Sequence, residues 1–297
     1  MSQVVVITGA SSGFGNMSAK ALAKAGHIVY AGMRDPSPNN ESVKDIESFV
    51  EKEMVDMRPV TLNVVSEESL TAGIDKVLKE AGKIDVLIHN AGHMSFGPSE
   101  AFTAEQLMSE YDVNCVGTQR LNRIVLPHMR RFGKGLLVWV GSSSTRGGVP
   151  PYLGPYFAAK AAMDALAVCY AGELSLWGIE SSIIVPGAYS KGTGHFAHAA
   201  MPDDQAVNAE YEEGAYKGYR QRILDGHVRV EPEDSDPQDV ARAIVDVVDK
   251  PYGKRPFRVH VGTEADRNHL VNPVADFARE QTIKDMGLEN LLAVKGT

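Results

Sequence analysis

The sequence predicts an α/β fold: one doubly wound sheet of about seven mostly parallel strands, with helices on both faces. Three observations carry this. Val4-Val5-Val6-Ile7 is β-branched and unbroken, as a parallel strand covered on both faces must be. It runs into the glycine-rich turn Thr8-Gly9-Ala10-Ser11-Ser12-Gly13-Phe14-Gly15, which opens directly into a helical stretch (Met17, Ala19, Ala21, Leu22, Ala23) ending near Gly26. Short apolar runs then keep alternating with segments of helical period to the end of the chain.

Taken in order, Ile28–Met33 reads as the second strand and Glu41–Glu53 as a polar helix with Val43, Ile46 and Val50 on one side. A third strand is expected over Val60-Thr61-Leu62-Asn63-Val64. A helix follows from Ser66 to Glu80, opened by a serine cap and carrying Leu70, Ile74, Val77 and Leu78. Asp85–Ile88 is the fourth strand, closed by His89-Asn90-Ala91-Gly92, and a long helical region lies between Thr103 and Met129. Leu136–Val140 is the fifth strand, and an alanine-rich helix begins near Tyr156. Gly178 separates it from the sixth strand, Ile179–Val185, which ends at Pro186-Gly187. Residues 192 to 236 lack a strong apolar period; Pro237 then opens a helix, Phe257–Gly262 is the closing strand, and a helical tail covers 263–297. There are no repeats, low-complexity tracts or linkers, so a single domain over 1–297 is expected.

Hydrophobic content of 43% and charged content of 23% are those of an ordinary globular protein. The formal net charge of −8, without a lysine/arginine run, argues against nucleic acid or an anionic membrane as partner. Cys115 and Cys169 cannot make a disulfide scaffold, and no apolar stretch approaches the roughly 20 residues of a membrane span. With no basic leader before Val4, a cytoplasmic protein is expected. His195 and His198 stand three apart without a third ligand in view, so no metal is expected.

The chemistry-bearing pattern is Tyr156 and Lys160, four residues apart at the start of a helix and therefore on one face. Of ten tyrosines, only Tyr156 has a lysine four places on. An ammonium beside a phenol favours the phenolate, so the Tyr156 pKa is expected to fall toward working pH, which suits a general acid/base. Ser143 lies thirteen positions upstream, just past the fifth strand, where its hydroxyl can donate to a carbonyl. At the other end of the chain, a glycine turn between a first strand and a first helix is a phosphate cradle. Its glycines admit the backbone to a pyrophosphate, and the helix N-terminus supplies free N–H groups.

Together, TGASSGFG, His89-Asn90-Ala91-Gly92, Asn114, Ser143 and Tyr156-x-x-x-Lys160 resemble the short-chain dehydrogenase/reductases, in that family's order and over roughly the first two thirds of the chain. The resemblance implies a Rossmann fold and a nicotinamide dinucleotide held by Thr8, Gly9, Ser11, Ser12, Gly13, Phe14, Gly15, Asn63, Val64, Asn90, Ala91, Gly92, Tyr156, Lys160, Pro186 and Gly187. The family's acidic position after the second strand falls on Met33, with Arg34 next; this looks like the NADP-preferring arrangement, NAD(H) remaining possible. Asp35 reads as a turn or cap. Asn114 is implied to bend its helix and hold a water that links Lys160 to solvent, and Lys160 to bind the nicotinamide ribose. Lys191 occupies the position of the family's carboxamide-binding threonine, so that contact passes to Ser190 or Thr193, with Tyr189 alongside. His89 is expected to be structural.

The resemblance further implies a substrate lid around 192–236, a C-terminal extension over 263–297 and a homodimer or homotetramer paired through the Asn114 and Tyr156 helices. The expected activity is NADP(H)-dependent interconversion of a secondary alcohol and a ketone, or an aldehyde. Arg34 and the segments around Asp249-Lys250-Pro251 and Phe257–Val261 resemble the branch with retinol- and hydroxysteroid-type members. Phe96, Val149, Tyr152, Tyr189 and Phe196 favour a hydrophobic or aromatic substrate. Two alternatives stand beside this: an NAD-preferring alcohol dehydrogenase of the same family, and a non-catalytic nucleotide sensor on the same fold.

Overall fold

A computed structural model describes residues 2–189, 192–194, 196–262 and 267–296. The chain alternates strand and helix: β1 (Val4–Ile7), α1 (Gly13–Lys24), β2 (Ile28–Met33), α2 (Glu41–Glu53), β3 (Met57–Thr61), α3 (Glu67–Ala81), β4 (Val86–His89), α4 (Ala104–Tyr111), α5 (Gly117–Phe132), β5 (Gly135–Val140), α6 (Gly154–Ser175) and β6 (Ile179–Pro186). Then come α7 (Gln205–Glu213), α8 (Tyr219–Val230), α9 (Gln238–Asp249), β7 (Arg258–Val261) and α10 (Asn268–Asp285). The strands form one sheet in the order β3-β2-β1-β4-β5-β6-β7, and every pairing is parallel. The order reverses between β1 and β4, and the carboxyl ends of strands flanking such a switch point form the crevice where doubly wound sheets bind ligands.

Both faces of the sheet are dry. On one, Val5, Ile7, Val29 and Val138 pack under Ala19 and Leu22 of α1 and Val240 and Ile244 of α9. On the other, Val4, Val6, Leu87, Leu137 and Trp139 pack under Leu70 and Ile74 of α3, Leu121 and Val125 of α5, and Met163 and Ala167 of α6. Fully burying one such aliphatic side chain is worth about 1.5–3 kcal/mol. Asn40 and Ser66 cap α2 and α3, and Thr103 with Gln106 forms a capping box on α4, so each helix start is satisfied locally.

Two elements differ from expectation. The third strand runs Met57–Thr61, not Val60–Val64. It contains Pro59, which an edge strand tolerates because the missing N–H faces no neighbour, and β3 is the edge of this sheet. Residues Leu62–Val64 thereby leave the ladder and cross the mouth of the crevice. Within 192–236 the chain forms α7 and α8, neither with a buried residue, which is why no apolar period announces them. Among the described residues, no helix is long and apolar enough to cross a membrane.

Candidate active site

The carboxyl ends of the strands enclose one cavity of about 1110 Å³. Its floor at one end is the glycine turn. Gly9 sits at φ +67°, where an added Cβ would also lie 2.8 Å from the Ala91 Cα. At Gly15 a Cβ would fall 2.2 Å from the Gly9 carbonyl oxygen and 2.4 Å from Asn90 Nδ2. The backbone is thus bare where the helix N-terminus faces the cavity, and the chemistry of this wall fits a dinucleotide pyrophosphate.

Asn90 holds the turn: its Nδ2 donates to the carbonyls of Thr8 (2.9 Å) and Gly9 (3.1 Å). Thr8 is the one expected cofactor contact absent from the cavity wall. Its hydroxyl turns inward and accepts from the backbone N–H groups of Asn90 and Ala91, both at 3.0 Å, tying β1 to the turn after β4. Gly9, Ser11, Ser12, Gly13, Phe14, Gly15, Arg34, Asn63, Val64, Asn90, Ala91, Gly92, Pro186, Gly187, Tyr189 and Thr193 all line the cavity, as do Asn114, Ser143, Tyr156 and Lys160. Ser190, Lys191 and His195 lie outside the described residues. Asp35 is a turn former as expected: its carboxylate accepts the Ser37 N–H at 3.0 Å, which leaves Arg34 exposed at the cavity edge. His89 is structural, bonded to Asn122 at 2.8 Å with its ring tilted against Trp139 at 4.5 Å between centroids, and burial lowers its pKa to about 4.

The catalytic end adds one residue to expectation and departs from it at another. The added residue is Ser142, whose hydrogen bond to Tyr156 works to lower the phenol's pKa, while Ser143, expected to donate to the substrate oxygen, lines the same cavity. Ser142 sits in extended backbone ahead of a short 3₁₀ turn (Ser143–Thr145), where its Oγ also accepts from the Ser144 N–H (3.2 Å) and Ser144 Oγ (2.7 Å). The departure concerns Tyr156 itself. Burial pushes its pKa up to about 12, the Ser142 bond working against this and the Glu110 charge adding to it. Lys160 does not pull it down, because its Nζ donates to the Val140 carbonyl at 2.7 Å and is itself desolvated to a pKa of about 8, with Asp164 and Glu110 opposing. Desolvation outweighs the neighbouring cation here.

Asn114 lies in a π-helical turn (Asp112–Val116) that joins α4 to α5. Its Nδ2 donates to the His93 carbonyl (3.1 Å), the Glu110 carbonyl (3.0 Å) and Glu110 Oε1 (3.0 Å). A Cβ on Gly92 would fall 2.5 Å from its Oδ1. Residues the sequence did not single out complete the wall: His93 and Met94 after β4, and Ile223, His227 and Val230 from α8. Phe196 and Tyr189 line it as expected, whereas Phe96 and Tyr152 pack behind it and Val149 is exposed. Among the described residues, no cluster of three or more potential metal ligands exists.

Residues 3–200 match the family model for short chain dehydrogenases. The chain is 29% identical over 260 residues to a 3-ketodihydrosphingosine reductase from Bacteroides thetaiotaomicron, covering 88% of both proteins. It is 33% identical over 187 residues to human 17-beta-hydroxysteroid dehydrogenase type 1, covering 62% of this chain and 56% of that one. In three dimensions it resembles a short-chain dehydrogenase from Streptomyces avermitilis, with TM-score 0.73, 27% identity and 97% of each chain covered. Matched over two thirds of its length and carrying the cradle and the Tyr156–Lys160 helix at one cavity, this chain belongs to the short-chain dehydrogenase/reductase family, nicotinamide-binding oxidoreductases of CH–OH and keto groups.

Proposed function

We propose that this protein reduces a ketone or aldehyde on a hydrophobic or aromatic substrate, with NADPH preferred, Tyr156 being the general acid. The observation that carries this is a single cavity with Arg34 beside the glycine cradle at one end and Tyr156 with Ser142 at the other. Arg34 suits a 2′-phosphate, which a guanidinium binds through charge-assisted hydrogen bonds. Bound along this wall, the nicotinamide supplies the hydride. Tyr156 and Ser142 hold the substrate oxygen between two hydroxyls, and Tyr156 gives it a proton as charge develops. The buried phenol, its pKa raised, carries the proton that the developing alkoxide takes. Lys160 and Asn114 stand behind it, Lys160 toward the ribose and Asn114 toward the proton route.

Leu153, Phe157, Phe196, Ile223 and Val230 give the substrate end an apolar wall, and relatives named for a ketosphingosine and a hydroxysteroid agree with it. We place the lid in 192–236, with α8 closing the cavity, and 263–297 as an extension of one domain. The half-buried small residues Ala161 and Ala162 of α6 suit a homodimer or homotetramer, and two free cysteines suit the cytoplasm. A panel of aromatic, steroidal and aliphatic ketones, followed by NADPH oxidation, tests the activity. Tyr156→Phe is expected to bind NADPH and lose at least about a hundredfold in kcat; near-normal turnover rejects the assignment, and preference for NADH moves it to an NAD enzyme.

A further inference from the structure

Resting on that reductase reading, we propose that Glu110 and His93 form a side-chain route by which the proton consumed in each turnover enters the site from solvent, Glu110 acting as a positioning residue and His93 as the proton carrier. Glu110 is the buried acid that the catalytic scheme leaves unused. It lies on α4 at 2% exposure, and among the described residues no arginine or lysine is paired to it. A carboxylate is rarely so buried without a purpose its partners reveal. Here both oxygens are engaged: Oε1 accepts from Asn114 Nδ2 at 3.0 Å, and Oε2 lies 3.1 Å from His93 Nε2.

The geometry links two regions. Asn114 is fully buried, and its Nδ2 is consumed by three acceptors, two of them on Glu110. Its Oδ1 is therefore turned the other way, and among the described residues this buried oxygen has no partner. Glu110 thus decides which end of the Asn114 amide faces the site. On the other side, His93 is 35% exposed and lines the same cavity as Tyr156 and Lys160. Tyr156 and Lys160 are themselves only 8% and 4% exposed, and both feel the Glu110 charge. The groups facing the carboxylate are Asn114 from the π turn, His93 from the loop after β4, and Tyr156 and Lys160 from α6, with Asp164 acting on Lys160. Only His93 among them reaches water, and its two ring nitrogens can take a proton on one side and give one on the other.

The step involves proton transfer alone. The Tyr156 O–H bond breaks as the product O–H forms; the phenolate recovers a proton that enters through His93, and the proton His93 gives up is replaced from solvent. No electrons move along this route.

The test uses the full-length protein with NADPH and the carbonyl of the panel turned over fastest. His93→Ala is expected to lower kcat by about tenfold, short of the roughly 10²–10⁴ lost when a direct acid/base group is removed, with KM unchanged. The D₂O effect on kcat should rise, the effect of deuterium at the NADPH hydride should fall toward unity, and added imidazole should restore turnover. Glu110→Gln should shift both isotope effects the same way without imidazole rescue, while NADPH affinity holds. If Glu110→Gln fails to fold, the partly exposed His93→Ala variant carries the test alone. A change confined to KM makes His93 a substrate contact and overturns the proposal. Wild-type turnover, or a loss with unchanged isotope effects and no rescue, overturns it as well. Retained turnover in Tyr156→Phe, or none on any carbonyl, sinks the reductase reading instead.

Discussion

Ser142→Ala and Ser143→Ala, compared side by side, separate the geometry of the site from the spacing along the chain. Ser142 is bonded to Tyr156 and accepts from Ser144 at 3.2 and 2.7 Å. Its loss removes a donor from the point where negative charge develops, which costs about 10²–10³ in kcat, or ~3–4 kcal/mol. It also releases the two Ser144 contacts, worth about 1 kcal/mol each in stability, so a modest fall in melting temperature accompanies it. Without the Ser142 bond, which lowers the Tyr156 pKa, the phenol becomes still harder to ionise and the oxidative direction suffers at least as much. Ser142 being the hydroxyl that acts on the Tyr156 pKa, Ser143→Ala should change kcat by less than about threefold, under 1 kcal/mol. The assay is steady-state kcat and KM at saturating NADPH, with NADPH affinity followed by fluorescence. If Ser143→Ala suffers the large loss and Ser142→Ala the small one, the hydroxyl assignment drawn from the structure is wrong.

Three further outcomes are expected. Arg34→Ala should weaken NADPH by about ten- to a hundredfold, the worth of one charge-assisted contact, and leave NADH unchanged in a fluorescence titration; equal losses for both coenzymes contradict a 2′-phosphate role. Gly15→Ala places a Cβ 2.2 Å from the Gly9 carbonyl, so the cradle must shift; about 1–3 kcal/mol of stability should go with coenzyme affinity, and unchanged binding refutes the close approach. His89 stays neutral in the folded protein down to about pH 4, whereas an unfolded imidazole takes its proton near 6.5. Its stabilising share is full above pH 6.5 and falls as pH drops through the folded pKa, about 2 kcal/mol being gone by pH 5. Urea unfolding at pH 7 and pH 5 should show that loss in the native protein and a flatter response in His89→Asn.

The parts legible in the sequence are those whose signal is local. Four consecutive β-branched residues running into a glycine turn and a helix can be recognised without any distant partner, because strand, turn and helix N-terminus are covalently continuous. The Tyr156–Lys160 spacing likewise fixes a shared helix face, and Asn114 stands where the structure bends into a π turn. The turn role of Asp35 likewise followed from its immediate surroundings. The tertiary structure alone decided quantities that depend on what closes over a residue. Tyr156 and Lys160 are four apart in either case, but only burial and the reach of Lys160 to the Val140 carbonyl set the phenol above its ordinary range and not below it. That Ser142 reaches Tyr156 depends on where the 3₁₀ turn begins. Glu110 met His93 and Asn114 because α4 packs against the loop after β4, and α8 reached the cavity through Ile223 and His227 with no apolar period to announce it. Backbone pattern is written in neighbours along the chain, whereas desolvation and side-chain partnership come from residues that are distant until the chain folds.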